Sequence, residues 1–489
     1  MSRNSIIRSV LSAALFSVAL PPLVQAAPAQ NPTAHAQNPT APAQAQAASG
    51  KTQASAADFN SRVTKLVEDD TARLTDMFKD IHQHPELGFQ ETRTAAIVAR
   101  ELKALGFEVK EGIGQTGVVG ILKNGPGPIV MYRADMDANA VKEETGLPYA
   151  SKVTVKRGDG SEAPAAHMCG HDAHVAWMLG MAKNMVAMKA DWSGTLVLVA
   201  QPAEEPITGA KAMVADGMYG KHGVPKPDYF IGLHTAPIPV GAIANAPGPR
   251  MAGTDQLDVV FKGVGGHGSM PQMARDPVVM ASMAVLGYQT VVSRMINPQE
   301  MAVITVGSVQ AGADNNVIPE TALLKANLRW YDPDVREQLL KGIKAVNAGV
   351  AATYAAPGAD PTITMKGGAT PLINDKKLSE RLAAALRPAI GEKAVITNLP
   401  RANGSEDFHH LLGEFTDVPL NYTFVGVADP GVFTRAVKEG KKFPYMNHNP
   451  NFIVDLKAIP FGTRVATLSA LELLAKPSGQ KAAAGRPAE

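Results

Sequence analysis

The chain has 489 residues, more than one hydrophobic core usually covers, so we expect at least two domains. Its 47 Lys and Arg nearly balance its 45 Asp and Glu, and a formal net charge of +2 gives no basic footprint for nucleic acid. The single cysteine, Cys169, excludes an intrachain disulfide framework. With 45% hydrophobic and 19% charged residues, the composition is that of an ordinary globular, enzyme-sized protein.

Residues 1–26 are typical of a secretory signal peptide. Arg3 and Arg8 precede the apolar run Val10–Leu20, and small residues favour cleavage after Ala26. The apolar run is too short to span a bilayer as a helix, which disfavours the alternative of a retained membrane anchor. We therefore predict a periplasmic or secreted protein with no stable membrane insertion after cleavage.

Two further segments lack large apolar side chains. Residues 27–57, rich in Ala, Pro and Gln, are predicted to be a disordered linker, and residues 477–489 a flexible tail. In an oxidising compartment a lone exposed thiol is a liability. Metal ligation would be one reason to retain Cys169.

From Phe59 the sequence becomes globular. Apolar residues at helical spacing predict one helix after Phe59 and a second that ends at Gly106. Short apolar strands then alternate with helices, which predicts an α/β fold with a mainly parallel sheet covered on both faces. The stretches concerned are "GVVGILKN", "PIVMYRADMD", "DAHVAWMLGMAKNMVAMK", "TLVLVAQPAEE" and "YFIGLHT".

A different pattern begins near Pro247. The strands "TDQLDVVFKGVGGHG", "MAVITVGSV" and "TALLKANLRWY" are half exposed, and helices are predicted from Pro277 to about Met295 and from Pro333 to about Ala352. This combination predicts a small sheet with helices on one face.

After "TITMKGG" the α/β pattern returns, with helices predicted at 377–389, 406–413 and 456–475. We therefore predict a discontinuous catalytic, metal-binding domain of residues 58–248 and 369–476. An α+β domain of residues 249–368 is inserted into it.

Polar residues follow three of the predicted strands of the first domain. Asp135, the pair Glu204–Glu205, and His234 come at strand ends, where open α/β sheets form a crevice. Adjacent carboxylates repel each other unless a cation lies beside them, although a solvated acidic turn is the common alternative.

The stretch "HMCGHDAHVAWM" places Cys169 among three histidines. Thiolate, imidazole and carboxylate suit Zn²⁺ or another late transition metal, and the lack of a CxxC pair excludes a structural zinc finger. A catalytic metal lowers the pKa of bound water. Of the two glutamates, one would then bind metal and the other would move protons.

Nine motifs, in order, resemble the amidohydrolase branch of the co-catalytic metallopeptidases, which includes hippurate hydrolases, N-acyl-L-amino-acid amidohydrolases and indole-acetyl-amino-acid hydrolases. They are "HQHPELGFQE", "RADMDA", "EETGLPYAS", "HMCGHDAHVAWMLG", "QPAEE", "GGHGS", "NVIPE", "GSEDF" and "NHNPNF". The resemblance implies two divalent metal ions per subunit: Zn²⁺, with Mn²⁺, Co²⁺ or Ni²⁺ as alternatives. It also implies that the inserted domain forms a homodimer or a higher homo-oligomer.

The same resemblance assigns roles to single residues. Glu204 would be the general base for attack by metal-bound hydroxide, and Asp135 would support a metal ligand. His267 would reach the partner subunit's active site and stabilise the oxyanion. His167 and His174 are not carried over as ligands, and His174 could form a hydrogen bond nearby. The implied metal ligands are Cys169, His171, Glu205, His234 and His448.

Three residues are candidates for substrate binding. Asn315 and Arg329 would hold a carboxylate, and Gly404 would let the backbone approach the substrate. On residue type alone, His267 could be a turn residue and Arg329 a surface charge. Asn139–Ala140 stands where the family usually has Leu-Pro, which leaves the substrate open.

The sequence therefore predicts a secreted, metal-dependent amidohydrolase. Its substrates would be N-acyl amino acids or small peptides with a free carboxylate. A dipeptidase or carboxypeptidase using the same site is the near alternative. A non-catalytic periplasmic protein that binds metal or ligand is a third, which the spare carboxylate of the Glu204–Glu205 pair disfavours.

Overall fold

The computed structural model describes residues 47–158, 160–354 and 360–476. The predicted signal peptide, most of the predicted linker and the predicted tail lie outside these residues.

The end of the predicted linker overlaps a helix. Helix α1 begins at Ala47, so the prediction of disorder up to Ala57 does not hold for its last residues. Ala, Gln and Lys favour helices even where no apolar face is buried, and a composition without core-forming side chains therefore did not exclude a helix.

The strands and helices of the described residues alternate along most of the chain. The strands are β1 (Glu108–Ile113), β2 (Gly117–Asn124), β3 (Ile129–Asp135), β4 (Thr154–Lys156), β5 (Glu162–Pro164), β6 (Gly194–Gln201), β7 (Tyr229–Pro239), β8 (Ile243–Ala244), β9 (Gly248–Met251), β10 (Gly253–Lys262), β11 (Gly266–His267), β12 (Ala302–Ala311), β13 (Val317–Ile318), β14 (Thr321–Trp330), β15 (Thr362–Ala369), β16 (Leu372–Asn374), β17 (Val395–Ile396) and β18 (Leu420–Ala428). The α-helices are α1 (Ala47–Gln83), α2 (Thr92–Ala104), α3 (His171–Ala187), α4 (Gly209–Ala215), α5 (Pro277–Met295), α6 (Pro333–Tyr354), α7 (Lys376–Ile390), α8 (Pro430–Lys438) and α9 (Ala458–Leu474).

A large sheet has the strand order β1-β2-β6-β3-β7-β18-β8-β17. Its central strands β6, β3, β7 and β18 are parallel, and antiparallel pairs lie towards its edges. Alternate side chains of β3 enter different cores: Val130 and Tyr132 pack with α3 and α9, and Met131 packs with Phe408 on the other face. The predicted α/β sheet, mainly parallel and covered on both faces, is confirmed.

A second, antiparallel sheet has the order β12-β14-β10-β15. Leu257, Val259 and Phe261 of β10 face the core that α5 and α6 cover, while the residues between them turn to the opposite face. The predicted α+β insertion is thereby confirmed as part of the fold class, and its boundaries at 249 and 368 stay predictions.

Three local predictions were wrong. The helix predicted at 406–413 is a 3-10 helix, Phe408–Leu412, because its backbone hydrogen bonds join residues three apart, from the His410 N–H to the Asp407 carbonyl and from the Gly413 N–H to the His410 carbonyl. The long strand predicted through "GVGGHG" ends at Lys262, and His267 lies instead in β11, paired with β13. His234 lies inside β7 rather than beyond its end.

Helix α5 is long and apolar enough to cross a membrane by length and composition alone. One of its faces packs on the smaller sheet through Met280, Ala284 and Tyr288. The other face leaves Met283 and Leu286 exposed to solvent, the latter by 71%. The helix therefore belongs to a sheet-covering layer that has an uncovered apolar side.

Two helical glycines predict opposite stability effects: Gly462 at the contact between α3 and α9, and Gly349 on α6. A Cβ at Gly462 would overlap the buried ring of Trp177, whereas a Cβ at the exposed helical Gly349 meets nothing within 4 Å. We expect Gly462→Ala to lower the free energy of unfolding by about 1–3 kcal/mol through overpacking. We expect Gly349→Ala to raise it by about 0.5–1 kcal/mol. Thermal and denaturant unfolding measure both, and shifts of the same sign would contradict the packing described.

Candidate active site

The site forms where neighbouring parallel strands end. Asp135, the last residue of β3, pairs in register with Gln201, the last residue of β6. The chain that leaves β6 then places Glu204 and Glu205 beside the chain that leaves β3, and the Glu205 N–H donates to Asp137 Oδ2 at 2.9 Å. The carboxylates therefore meet because the two strands are adjacent and parallel.

A tight turn brings Cys169 and His171 to the same place. Gly170 has a φ of 82° at the start of α3, and a Cβ there would overlap the side chain of Thr235. Only glycine fits both demands, since the left-handed conformation disfavours other residues. The "CGH" sequence thus orients a thiol and an imidazole from the two sides of one turn.

The five predicted metal ligands converge. Cys169 Sγ lies 3.5 Å from His234 Nε2 and 3.3 Å from His448 Nε2. Glu205 Oε1 lies 3.3 Å from His448 Nε2 and 3.8 Å from His171 Nε2. The sulfur lies between the imidazoles of His234 and His448, and the carboxylate lies between those of His448 and His171, so the shared His448 joins the donor atoms into one continuous cluster.

The donor atoms fit divalent metal ions. Among the described residues, His171 Nε2 and Glu205 Oε1 are buried without a hydrogen-bond partner, which is costly unless another ligand binds them. The Nδ1 atoms of His171 and His234 are held by the carbonyl oxygens of Asp137 and Thr235, at 2.8 and 2.7 Å. This contact leaves both Nε2 atoms directed into the cluster, as in protein metal sites.

The charges in the cluster shift the pKa values of its members. Burial and the charge of Glu205 raise the pKa of Cys169, but His234 and His171 outweigh them and lower it to about 6. Burial, with Glu406 and Glu205 nearby, raises the pKa of Glu204 well above its usual range. The thiol is thus favoured as a thiolate, the form that binds metal. The neighbouring carboxylates repel one another, so a bound cation would stabilise their charged forms.

Sequence reasoning missed a buried ion network beside Glu204. Arg133, only 1% exposed, donates to Asp135 Oδ2 at 2.7 Å and to Glu406 Oε1 at 2.8 Å. Its Nε donates to Gln201 Oε1 at 2.9 Å, and Asp407 Oδ1 lies 3.5 Å from its guanidinium. A signal was present in "RAD", because residues two apart on a strand share one face.

Asp135 orients His174, which is not one of the predicted metal ligands, so its predicted role of supporting a metal ligand stays a prediction. Its Oδ1 lies 2.5 Å from His174 Nδ1, and His174 Nε2 accepts the Thr235 N–H at 2.9 Å. Both ring nitrogens of His174 are therefore occupied by protein atoms. The alternative of a hydrogen-bonding rather than ligating His174 fits this geometry.

A second histidine supports the start of α3 from behind. His82 Nδ1 lies 2.6 Å from Asp172 Oδ2, and its Nε2 lies 3.2 Å from Glu143 Oε1. Burial lowers the pKa of His82, but these two carboxylates raise it to about 9. This ion pair fixes the residue that follows His171.

Comparison with known proteins agrees with the geometry. The sequence profile of peptidase family M20/M25/M40 matches residues 131–469. The chain belongs to this family.

Two relatives and one solved structure show which proteins of the family this M20 chain is similar to. It is 37% identical to the hippurate hydrolase of Campylobacter jejuni over 332 residues, which are 67% of this chain and 82% of the relative. It is 31% identical to the IAA-amino acid hydrolase ILR1-like 2 of Arabidopsis thaliana over 440 residues, 88% and 93% of the two chains. The Bacillus subtilis YXEP protein, a dinuclear metal-binding peptidase of the M20 family, superposes with a TM-score of 0.64 at 29% identity, over 83% of this chain and 99% of its own.

These findings confirm the predicted class. The M20 chain is a metal-dependent hydrolase of amide bonds. The roles of its single residues stay predictions.

The predicted substrate residues lie in two places. Arg329 donates from Nη1 to Ser405 Oγ and from Nε to Asn327 Oδ1 at 2.8 Å. Ser405 lies between Gly404 and Glu406 in the sequence. His267 and Asn315 are exposed on the smaller domain. Within the part of the chain that the structure describes, no hydrogen bond or ion pair joins them to the metal-ligand cluster of their own subunit.

The metal cluster predicts the effect of removing its sulfur. In Cys169→Ser a neutral hydroxyl replaces a thiolate, so we expect the affinity for Zn²⁺ to fall by at least roughly tenfold. Titration of metal-free protein with Zn²⁺, followed by elemental analysis, measures this, and circular dichroism checks the fold. An unchanged affinity would show that Cys169 does not bind the metal.

Proposed function

We propose that this M20 chain is a secreted amidohydrolase. It cleaves the amide bond of N-acyl amino acids, or of small peptides that end in a free carboxylate. One observation carries the proposal: a single loop places Ser405, which binds Arg329, next to Glu406, which belongs to the same acidic cluster as Glu204. Arg329, the candidate carboxylate anchor, thus contacts Ser405, and Glu204, the candidate base, lies close to the next residue, Glu406.

Metal ions have a defined place in this proposal. Divalent ions held at the five converging ligands would polarise the amide carbonyl and lower the pKa of a water molecule. The thiolate and imidazole donors favour two Zn²⁺ ions, with Mn²⁺, Co²⁺ or Ni²⁺ as alternatives. The residues that would hold them are Cys169, His171, Glu205, His234 and His448.

Glu204 is the proposed general base. Its Oε2 lies 3.9 Å from His171 Nε2, so it borders the ligand cluster. Its neighbour Glu205 makes the contact to His448, which leaves the Glu204 carboxylate free to accept a proton from water and to pass it to the leaving amine. Asp135 and Arg133 hold the surrounding groups in place.

Arg329 is the proposed anchor for the substrate carboxylate. Its guanidinium is half-buried and hydrogen-bonded only to neutral side chains, Ser405 and Asn327, among the described residues. A planar guanidinium binds a carboxylate through paired hydrogen bonds. An anchor here would place the neighbouring amide bond towards the metal cluster.

A homodimer would complete the site. His267 is exposed on the domain whose helix α5 leaves an apolar face uncovered, including Val279, Met283 and Leu286. Burial of such a face against a second copy is favourable, and His267 would then be available to the partner subunit's substrate as an oxyanion donor. Secretion is proposed from the signal-like pattern of residues 1–26.

The general base is tested with a panel of N-acyl amino acids and dipeptides, each with Zn²⁺, Mn²⁺, Co²⁺ or Ni²⁺. We expect Glu204→Gln to lower kcat by roughly a hundred- to ten-thousand-fold, because an amide cannot accept the proton. Metal content should be unchanged, and Glu337→Gln on the exposed side of α6 should leave kcat unchanged. Activity of Glu204→Gln within a few-fold of the wild type would refute the role.

The dimer predicts complementation between two inactive subunits. A heterodimer of His267→Ala with Glu204→Gln has one site with both lesions. Its other site has an intact Glu204 and receives an intact His267 from the partner. Since the loss of one oxyanion donor costs roughly 3–4 kcal/mol, co-purified heterodimers should regain clear turnover over either parent. Heterodimers without any rescue would show that His267 acts within its own subunit or not at all.

A further inference from the structure

A second cationic element lies next to the proposed carboxylate anchor. Along β14, Leu328 and Trp330 face the helix-covered core, so Arg329 and the following Tyr331 face the opposite side of the sheet. Both side chains reach the same loop: Arg329 binds Ser405 Oγ, and Tyr331 Oη donates to the Ala402 carbonyl at 2.6 Å.

Two more arginines extend this surface. The guanidinium of Arg401 lies over the Tyr331 ring, 4.5 Å from its centroid, and the Arg401 side chain is otherwise exposed. Arg250 is only 8% exposed, and its Nη1 donates to the Leu399 carbonyl at 2.9 Å. The Ala402 N–H in turn donates to the Arg250 carbonyl at 2.9 Å, so both arginines belong to one strand-and-loop contact.

These charges have no counter-ion in the part of the chain described. Arg250, Arg329 and Arg401 form no ion pair there, whereas Arg336, on the neighbouring helix α6, binds Asp255 at 2.8 Å. Burial of a cation without a carboxylate is unfavourable, and backbone carbonyls compensate it only in part. The fold therefore retains positive charge at a place where an anionic ligand would lower its cost.

We define Arg329, Arg401 and Arg250 as the cationic strip. The loop of residues 401–406 shows how the strip is placed relative to the acidic cluster. Glu406 borders the acidic cluster of Glu204, Ser405 touches Arg329, and Ala402 and Arg401 touch Tyr331. In the order of contacts along the loop, Arg329 therefore lies between the acidic cluster and Tyr331. A group bound at Arg401 would lie beyond the carboxylate bound at Arg329, on the amino-acid side of the scissile amide.

We infer that the cationic strip selects an N-acylated acidic amino acid, Asp or Glu, as substrate. This inference rests on the proposed function. Arg329 takes the α-carboxylate, and Arg401, backed by Arg250, takes the carboxylate of the side chain. Arg329 and Tyr331, over whose ring Arg401 lies, are two residues apart, a backbone spacing of about 6.6 Å at most, so two separate groups of one substrate are needed to reach both arginines.

The test compares N-acetyl-glutamate with N-acetyl-glutamine, which have nearly the same shape and differ in charge. For the wild type we expect kcat/KM to favour the glutamate compound by roughly tenfold or more, as a charge-assisted hydrogen bond provides. Arg401→Gln should lower this preference about tenfold, mainly through KM. Because Arg401 is exposed, its replacement spares the core.

Controls separate this inference from the proposed function. Arg100→Gln changes an exposed arginine on α2 and should leave the preference unchanged. Arg401→Glu should reverse the preference by repelling the acidic side chain. A preference that Arg401→Gln leaves within twofold of the wild type would overturn the inference.

If no member of the N-acyl amino acid and dipeptide panel is hydrolysed with any metal, the proposed function fails, and binding still decides the inference. Calorimetric titration of the metal-loaded protein with free glutamate and glutamine then provides the readout. Tighter binding of glutamate that is lost in Arg401→Gln supports the strip, and equal binding of the two amino acids overturns it.

Discussion

The site depends on the neutralisation of carboxylates that the parallel strands gather at one edge. Asp135, Glu204 and Glu406 are buried, and burial, with Glu406 and Glu205 nearby, raises the pKa of Glu204 well above its usual range. Arg133 supplies one internal cation, bound to Asp135 and Glu406. The remaining negative charge lies beside metal-binding atoms that have no hydrogen-bond partner, His171 Nε2 and Glu205 Oε1. Cations bound from solution would neutralise this charge.

The same constraint explains how the ligands are held. His171 and His234 each have the ring nitrogen that faces away from the cluster fixed by a backbone carbonyl, and Asp137 fixes the backbone N–H of Glu205. Such outer contacts orient the ligands before an ion arrives. Residues that would not touch the metal therefore contribute to its affinity by holding the ligands in position.

The loop around Ser405 links the two parts of the site. Glu406 lies in the buried network, whereas Ser405 binds Arg329 of the smaller sheet. The Ala252 N–H donates to the carbonyl oxygens of both Ala402 and Gly404, which ties the strand entering the smaller sheet to the same loop. The buried acidic network and the proposed substrate anchor are thus joined by a few consecutive residues, because one loop contacts both sheets.

The sequence by itself determined the α/β class with its inserted α+β domain, because hydrophobic periodicity is a local property, and the family resemblance of "HMCGHD" implied Cys169 and His171 as ligands. Only the tertiary structure decided which polar residues that are distant in sequence come into contact. Arg133 meets Glu406 273 residues away, and Cys169 meets His448 279 residues away. No periodicity encodes such pairs, since strand order and loop paths bring them together. The same holds for Arg401 on Tyr331, a contact that neither residue signals in its own segment.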